Sequence, residues 1–434
     1  MQGPVAIILA AGQGKRMRSE RAKVLHEVCG QPMIRYVVEA ARGAGARSVI
    51  VVVGFGADQV RDALADEPDV FFAVQERQLG TGDAVRACRS LLEDYSGPAL
   101  VLVGDEPLLR AEPLGNLLER QRSEQLVCLM GTAVLPDPTG FGRILRDSAG
   151  RFLRIVEQRD CTPEEAAIQE INPSCYVFEL PALWDALDQL DTTNAQGEYY
   201  LTDAPELLIQ MGRSVAALPV LDAEDVLGVN TREHLAEAHV VMQRRIQSRL
   251  MDEGVSIVDP RNTSIDGRAV IGPDTTIFPF TVISGTVRIG RDCRIGPFAH
   301  LRDGTVLEDG AEVGAFVEVN RSTFEAGARA RHLAYLGDAI VGAGVNVGAG
   351  AITANFDGKT KSQTEIREGA FIGSGAILVA PVTIGPEATV GAGAVVTKGK
   401  DVAAGQTVVG VPARPLGASG SSESDWGDHR DTRR

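Results

Sequence analysis

The chain reads as an α/β protein in two parts, a mostly parallel sheet flanked by helices followed by a parallel β-helix. Three observations predict this. From residue 1 to about 230, short apolar runs alternate with amphipathic segments. From Ile265 onward, aliphatic residues recur every six positions. Between these regions lies one stretch of helical spacing. Alternating strand and helix patterns build a parallel sheet covered on both faces.

Taken in order, the strand candidates of the first part are 5–10, 48–53, 70–74, 99–103 and 126–132. Helix candidates lie between them at 33–45, 57–66, 82–93 and 114–123. Ligands in such sheets bind at the carboxyl ends of strands. Two polar motifs sit at such ends: Gly12-Gln13-Gly14-Lys15-Arg16 after the first strand, and Gly104-Asp105 after ALVLV. The first motif resembles a phosphate loop but fails two familiar patterns. Met17 occupies the third glycine position of a dinucleotide fingerprint. Leu9 and Arg16 stand where a P-loop needs glycine and Ser or Thr. On this stretch alone, an ordinary strand-to-helix turn with surface cations is an equal reading.

Asn230-Thr231-Arg232-Glu233 resembles a capping start, and Leu235, Met242, Ile246 and Leu250 follow at helical spacing until Gly254. The six-residue period then runs through Ile265, Ile271, Ile277, Ile283, Ile289, Ile295, Leu301, Leu307, Val313 and Val319. It resumes at Ile366, Ile372, Leu378, Ile384, Val390 and Val396. On a helix this period wanders around the cylinder, whereas on a strand an even period returns to the same face. A strand–turn–strand solenoid is the result. The register breaks at 320–340 and at 353–365, and both breaks are expected to be loops leaving the coil. The tail from 416 to 434 is polar and expected to be disordered.

Composition narrows the function. A net charge of −15 argues against general nucleic-acid binding. No apolar stretch approaches the length of a membrane span, and the N-terminus carries no secretory pattern. The six cysteines show no zinc spacing, so reduced thiols in a cytoplasmic protein are expected. Only six of 43 basic residues are lysines (15, 23, 359, 361, 398 and 400), and two of these flank the opening motif. In an arginine-preferring chain, a retained lysine points to a role that arginine cannot fill.

LAAGQGKRM with Lys23 resembles the sugar nucleotidyltransferases. With the solenoid attached, the chain to about 415 resembles the GlmU family of bifunctional N-acetylglucosamine-1-phosphate uridyltransferases and glucosamine-1-phosphate acetyltransferases, which serve bacterial cell-wall (peptidoglycan) precursor synthesis. The matching blocks, in order, are QLGTGDA, GDEPLL, DPTGFGRI, VEQRD, EIN, NAQGEYYLTD, GVN, HLAYLGD and NVGAGAITANFDGK. The resemblance implies a Rossmann-like nucleotidyltransferase domain over 1–230, a linker helix over 231–253 and a left-handed β-helix acetyltransferase domain over 254–415. It further implies a homotrimer acting on small molecules, without nucleic acid or membrane.

In the first domain the resemblance implies attack by N-acetylglucosamine-1-phosphate on the α-phosphorus of UTP, with release of pyrophosphate. Ala10, Ala11 and Gly12 would meet the nucleotide, Arg16 and Lys23 its phosphates, and Gln75, Gly80 and Thr81 the uracil. Gly104-Asp105 closes this site. Asp105 would bind Mg2+ with Asn230, although both residues could instead cap helices. Gly142, Glu157 and Asn172 match sugar-binding positions, and Glu157 alone would read as a solvated surface charge.

In the second domain His332 matches the catalytic base that takes a proton from the amine of glucosamine-1-phosphate, which then attacks acetyl-CoA. Arg302, Asn320, Tyr335, Asn346 and Lys361 match positions around the amino-sugar phosphate. Asn355 borders these and the acetyl-CoA positions, which are Ala349, Phe356, Ser374, Ala392 and, as a possible substitute for a late arginine, Arg414. There are departures. Lys15 replaces a threonine, Ala22 a proline and Asp83 a histidine, and Pro173 is expected to stiffen the loop beside Asn172. Asn320 replaces a lysine that binds phosphate in the family. Arg321 is adjacent, but neighbouring strand residues face opposite ways, which would leave Arg302 and Lys361 to hold the phosphate. The alternative is a sugar-1-phosphate nucleotidyltransferase whose β-helix is structural or regulatory, or takes another acetyl acceptor.

Overall fold

The computed structural model describes residues 3–416. The polar tail expected to be disordered lies, from residue 417, outside the described residues. The chain divides into two compact units, residues 1–242 and 243–434.

The first unit contains a nine-stranded sheet. Its strands are β1 (Val5–Leu9), β2 (Ser48–Val53), β3 (Val70–Val74), β4 (Pro98–Val103), β5 (Cys128–Val134), β6 (Gly142–Arg146), β7 (Phe152–Val156), β8 (Glu170–Glu179) and β9 (Val215–Pro219). The order is β9-β5-β8-β4-β1-β2-β3, with β6 pairing β8 and β7. β1 pairs in parallel with β2 and β4, so the turns after β1 and β4 emerge side by side at one edge. The central strands are continuous apolar runs because helices cover both faces. Helices α1 (Met33–Gly43), α2 (Ala57–Ala63) and α4 (Ala111–Ser123) pack on one face. Helices α3 (Thr81–Arg86), α5 (Leu180–Leu187) and α6 (Ala204–Gln210) pack on the other. Each fully buried Val, Ile or Leu contributes roughly 1.5–3 kcal/mol.

The sheet is not purely parallel. β8 runs antiparallel to β4, β5 and β6. Pro173 lies within β8, where the register shifts between Ile171 and Cys175, and Ser174 has φ 59°. The expected loop beside Asn172 is therefore a bulge in a buried strand. The segment expected as one helix over 82–93 is the short α3 followed by a 3-10 turn at Arg89–Leu91.

Helix α7 (Arg232–Asp252) spans the boundary between the units. Among the described residues no helix is long and apolar enough to cross a membrane.

The second unit is a three-faced parallel coil, consistent with the left-handed β-helix expected. Its first face stacks Thr276–Ile277, Arg294–Ile295, Glu312–Ala315, Arg329–His332 and Asn346–Val347. Its second stacks Val282–Ile283, His300–Leu301, Glu318–Asn320, Tyr335–Gly337 and Ile352–Ala354. The third stacks strands such as Val306–Leu307, Thr323–Phe324 and Ala339–Val341. The period-six aliphatics point inward and are buried.

The break at 320–340 is not a loop. Four short strands carry the coil through it. Two corners are one residue shorter: Val319 to Phe324 and Leu336 to Val341 are five steps apart, and all four residues are buried. A fixed period fails at a deletion as it does at an insertion. The second break does leave the coil. Phe356 bridges to Lys361 and Ser362 N donates to Asn355 O (2.8 Å), closing a hairpin over Asp357. On one corner Phe280, Phe298 and Phe316 stack with centroids 4.8 and 4.9 Å apart, and all three are exposed.

Candidate functional site

The turns after β1 and β3 face each other across a cavity of about 310 Å³ lined by Ala10, Ala11, Gly12, Lys23, Gln75, Gln78, Gly80, Thr81 and Glu198, among others. A second cavity of similar size, lined by Gln13, Gly14, Lys15, Arg16, Lys23, Gln78 and Asn230, shares Lys23 and Gln78 with it. Three cationic side chains and no carboxylate line this second space, which suits a polyanion.

The two glycines of the opening motif do different work. A Cβ on Gly12 would meet nothing within 4 Å, so this residue borders open cavity. Gly14 has φ 58°, and a Cβ there would lie 2.7 Å from Lys23 Cβ. Its missing side chain lets the turn pack on Lys23.

Lys23 Nζ donates to the Asp105 carboxylate and to Asn230 Oδ1 (3.1 Å). Residues from three distant parts of the chain thus meet at one point. A backbone bond from Val229 N to Asp105 O (2.9 Å) holds Asn230 beside Asp105. Arg110 Nε and Nη2 each donate to the buried Asp225 at 2.7 Å, anchoring the segment that leads to Asn230. The helix-capping alternatives do not match this geometry. Thr231 Oγ1 accepts from His234 N at the start of α7 (3.2 Å), and α4 has no side-chain cap.

The oxygens of Asp105 and Asn230 suit a hard divalent cation, and the lysine ammonium between them is itself a cation held by those two groups. Among the described residues no group of three or more His, Cys, Asp or Glu could hold a metal. A divalent ion here would need water or substrate oxygens to complete its shell. Beside Asp105, Glu106 is buried and its Oε2 has no hydrogen-bond partner among the described residues. Burial, and then the charge of Asp105, push its carboxyl well above the ordinary range. Nothing in the motif GDEPLL signalled this, because burial creates it.

Gln75 is buried, and its amide donates to Gly80 O (3.0 Å) and Asp83 (2.9 Å). The aspartate that departs from the family pattern therefore orients a candidate uracil reader. Gln78 donates to Ala11 O (2.6 Å), joining the two turns. Gln78 and Glu198 line the cavities yet were not singled out, although both lie in quoted blocks, and Lys15, noted as a retained lysine and a departure, lines the second cavity. Gly104 N donates to Leu9 O (2.9 Å), and the residue packs on Val24 and Ile34 behind the cavity.

Gly142, Glu157 and Asn172 come together. Gly142 pairs with Asn172 across β6 and β8, and a Cβ on Gly142 would lie 3.7 Å from Glu157 Oε1. Buried Arg143 pins the neighbouring segment by donating to Gln158 Oε1 (2.8 Å) and Ala166 O (3.3 Å). Glu157 is not a solvated charge, since burial raises its carboxyl.

On the coil the candidates divide between faces. His332 ends a first-face strand, is exposed, and lines a cavity of about 320 Å³ with Phe278, Arg294, Glu312 and Arg331. Asn346 shares that face. Arg302, Asn320 and Tyr335 lie on the second face, where His300, Glu318 and Tyr335 form one row across adjacent strands. Arg302 donates to Glu318 Oε1 (2.9 Å). Asn355 follows the second-face strand Ile352–Ala354, and Lys361 is exposed in the hairpin beyond it. Ala349, Ser374 and Ala392 stack along one corner: Gly375 N donates to Ala349 O (2.7 Å) and Gly393 N to Ser374 O (2.8 Å). Phe356 is exposed in the hairpin, and Arg414 sits on a short strand antiparallel to Thr407–Val409.

Arg321 is the clearest correction to the expected geometry. Its φ of 49° is left-handed, so the alternation of an extended strand does not apply. Its guanidinium folds back to donate to Asn320 Oδ1 (2.9 Å) and also grips Asp338.

Comparisons with known proteins agree with this architecture. A MobA-like NTP transferase domain model matches residues 6–169. A bacterial transferase hexapeptide model, of six repeats, matches 268–301, 286–321 and 363–398. The bifunctional protein GlmU of Pelobacter propionicus is 43% identical over 443 residues, spanning 94% of this chain and 96% of the relative. That of Geobacillus sp. strain WCH70 is 43% identical over 445 residues, spanning 95% and 94%. That of Caldanaerobacter subterraneus subsp. tengcongensis is 42% identical over 467 residues, spanning 99% of both. With both units matched and the likeness running along nearly the whole chain, this protein belongs to the GlmU family of bifunctional transferases.

Proposed function

We propose that the protein makes UDP-N-acetylglucosamine in two steps. In the first, the coil transfers acetyl from acetyl-CoA to glucosamine-1-phosphate. In the second, the sheet domain transfers uridylyl from UTP to N-acetylglucosamine-1-phosphate, releasing pyrophosphate. The observation that carries this reading is the meeting of Lys23, Asp105 and Asn230 beside a pocket lined by Lys15 and Arg16.

In uridylyl transfer, charge builds on the phosphoryl oxygens, so catalysis is mainly positioning and neutralisation. Lys15, Arg16 and Lys23 face the triphosphate. Gln75, Gly80 and Thr81 read the base. Gly142, Glu157 and Asn172 hold the sugar. Asp105 and Asn230 would hold Mg2+, which when bound neutralises phosphate charge. The Lys23 ammonium, held by the same two groups when they carry no ion, would pair with the phosphates instead.

In acetyl transfer, His332 accepts the proton of the sugar amine as its nitrogen attacks the thioester. Tyr335, Asn346, Asn355 and Lys361 position the sugar phosphate, and the row Ala349–Ser374–Ala392 receives coenzyme A. Because His332 and Asn346 lie on a different face from Arg302 and Tyr335, a site drawing on two copies is favoured, and a homotrimer is the proposed assembly. The exposed phenylalanine ladder is apolar surface that such an assembly would cover. Six free thiols support a cytoplasmic setting.

The test is coenzyme A release from acetyl-CoA with glucosamine-1-phosphate, alongside pyrophosphate release from UTP with N-acetylglucosamine-1-phosphate. Both are expected. Pyrophosphate without coenzyme A would favour the nucleotidyltransferase with a structural coil.

A further inference from the structure

We infer that Arg321 is the specificity-determining cation for the phosphate of the amino-sugar substrate, and that Asp338 holds it ready. The inference rests on the acetyl-transfer reading above. It starts from two shortened corners. Asn320–Thr323 and Gly337–Ile340 each connect buried coil positions with one residue fewer than the regular repeat. Each corner contains a non-glycine residue in the left-handed region, Arg321 (φ 49°) and Asp338 (φ 48°). The corners stack, with Asp338 N donating to Asn320 O (3.0 Å). The two side chains are therefore brought level with each other, just beyond the second-face strands that end at Asn320 and Gly337.

The contacts are directional. Arg321 Nε donates to Asp338 Oδ1 (2.7 Å) and Nη2 to Oδ2 (2.9 Å), while Nη1 donates to Asn320 Oδ1 (2.9 Å). Three of the five guanidinium N–H groups are thereby committed, and two remain to meet an incoming anion. A guanidinium fixed in this way offers a pre-oriented fork for phosphate oxygens. Asp338 is also gripped by the Asn355 amide; the Arg321 hydrogen bonds hold its carboxyl below the ordinary range against the effect of burial, with smaller help from Asn355 and the charge of Lys361. Arg302 has its own carboxylate in Glu318. The cluster of Arg321, Lys361 and Asp338 carries an excess positive charge beside Tyr335 and Asn355. Asn320 is buried and neutral, so it cannot balance a dianion, but it does orient the residue that can.

A plain structural staple between coils is the competing account, although a part-exposed ion pair contributes little to stability. Kinetics of coenzyme A release separate the two. The wild-type chain is measured first with glucosamine-1-phosphate, and no release would overturn the acetyl-transfer reading itself. Given wild-type activity, Arg321→Ala is expected to raise KM for glucosamine-1-phosphate at least tenfold, with KM for acetyl-CoA unchanged and kcat within about twofold. Arg321→Lys keeps the charge without the fork and should fall between the two. Asp338→Asn should raise the same KM by a smaller factor. An unchanged KM for glucosamine-1-phosphate in Arg321→Ala, or a loss confined to kcat, would overturn the inference. Should Arg321→Ala fail to fold, Arg321→Lys decides, and wild-type KM in that variant is the overturning result.

Discussion

Lys23 is one of six lysines in a chain that otherwise uses arginine, and its position gives that retention a physical reason. Its ammonium is a compact charge between Asp105 and Asn230, packed under Gly14. A planar guanidinium is larger and binds through a rigid fork. Lys23→Arg is expected to lower kcat/KM for uridylyl transfer at least tenfold, about 1.4 kcal/mol, as measured by pyrophosphate release. Asp203 supplies a pH test. Burial, and then Glu206, raise its carboxyl to about 6. Between the unfolded value of 3.8 and that of about 6, the folded state keeps a proton that the unfolded chain releases. Stability should therefore fall as pH rises through this window and then level off. Asp203→Asn should flatten the profile by on the order of 1 kcal/mol, read by denaturant titration at several pH values. At this scale much of the candidate site was legible, but only through matching blocks. No spacing rule links Lys23, Asp105 and Asn230. Glu106 and Glu157 show why the rest stayed hidden: their environments are made by burial, which a carboxylate's neighbours in sequence do not reveal.

The elements were legible where one pattern ruled. The strands β1 to β4 are near-continuous apolar runs, and the coil repeats every six residues. β8 was missed because Pro173 and a bulge interrupt its pattern. The first break was read as a loop because a test of fixed register fails at a shortened corner and at an insertion alike. Two predictions belong here. Thr231 caps α7, so Thr231→Ala should destabilise the protein by about 1 kcal/mol in chemical denaturation. Gly14→Ala would place a methyl 2.7 Å from Lys23 Cβ on a left-handed residue. It should raise KM for UTP several-fold in the pyrophosphate assay by displacing the lysine.

The whole molecule holds two sites in separate compact units, and that division can be tested. Asp105→Ala should abolish uridylyl transfer and spare acetyl transfer, and His332→Ala should do the reverse. Mixed together, the two variants should still convert glucosamine-1-phosphate, acetyl-CoA and UTP to UDP-N-acetylglucosamine, because N-acetylglucosamine-1-phosphate can pass through solution. Failure of the mixture while each variant keeps its own activity would mean that the intermediate is not freely exchanged. The chain carries a net charge of −15 yet must bind anionic substrates, so its few local clusters of cations govern binding. One of those clusters depends on the shortened corners. In a coil whose turns meet only their neighbours, chain length is itself a specification. Had either corner kept the usual count, its guanidinium or carboxylate would sit a step out of phase with the other. The ion pair is thus written into this protein partly as two residues that are not there, and one added residue in either corner should uncouple it while the other stays intact.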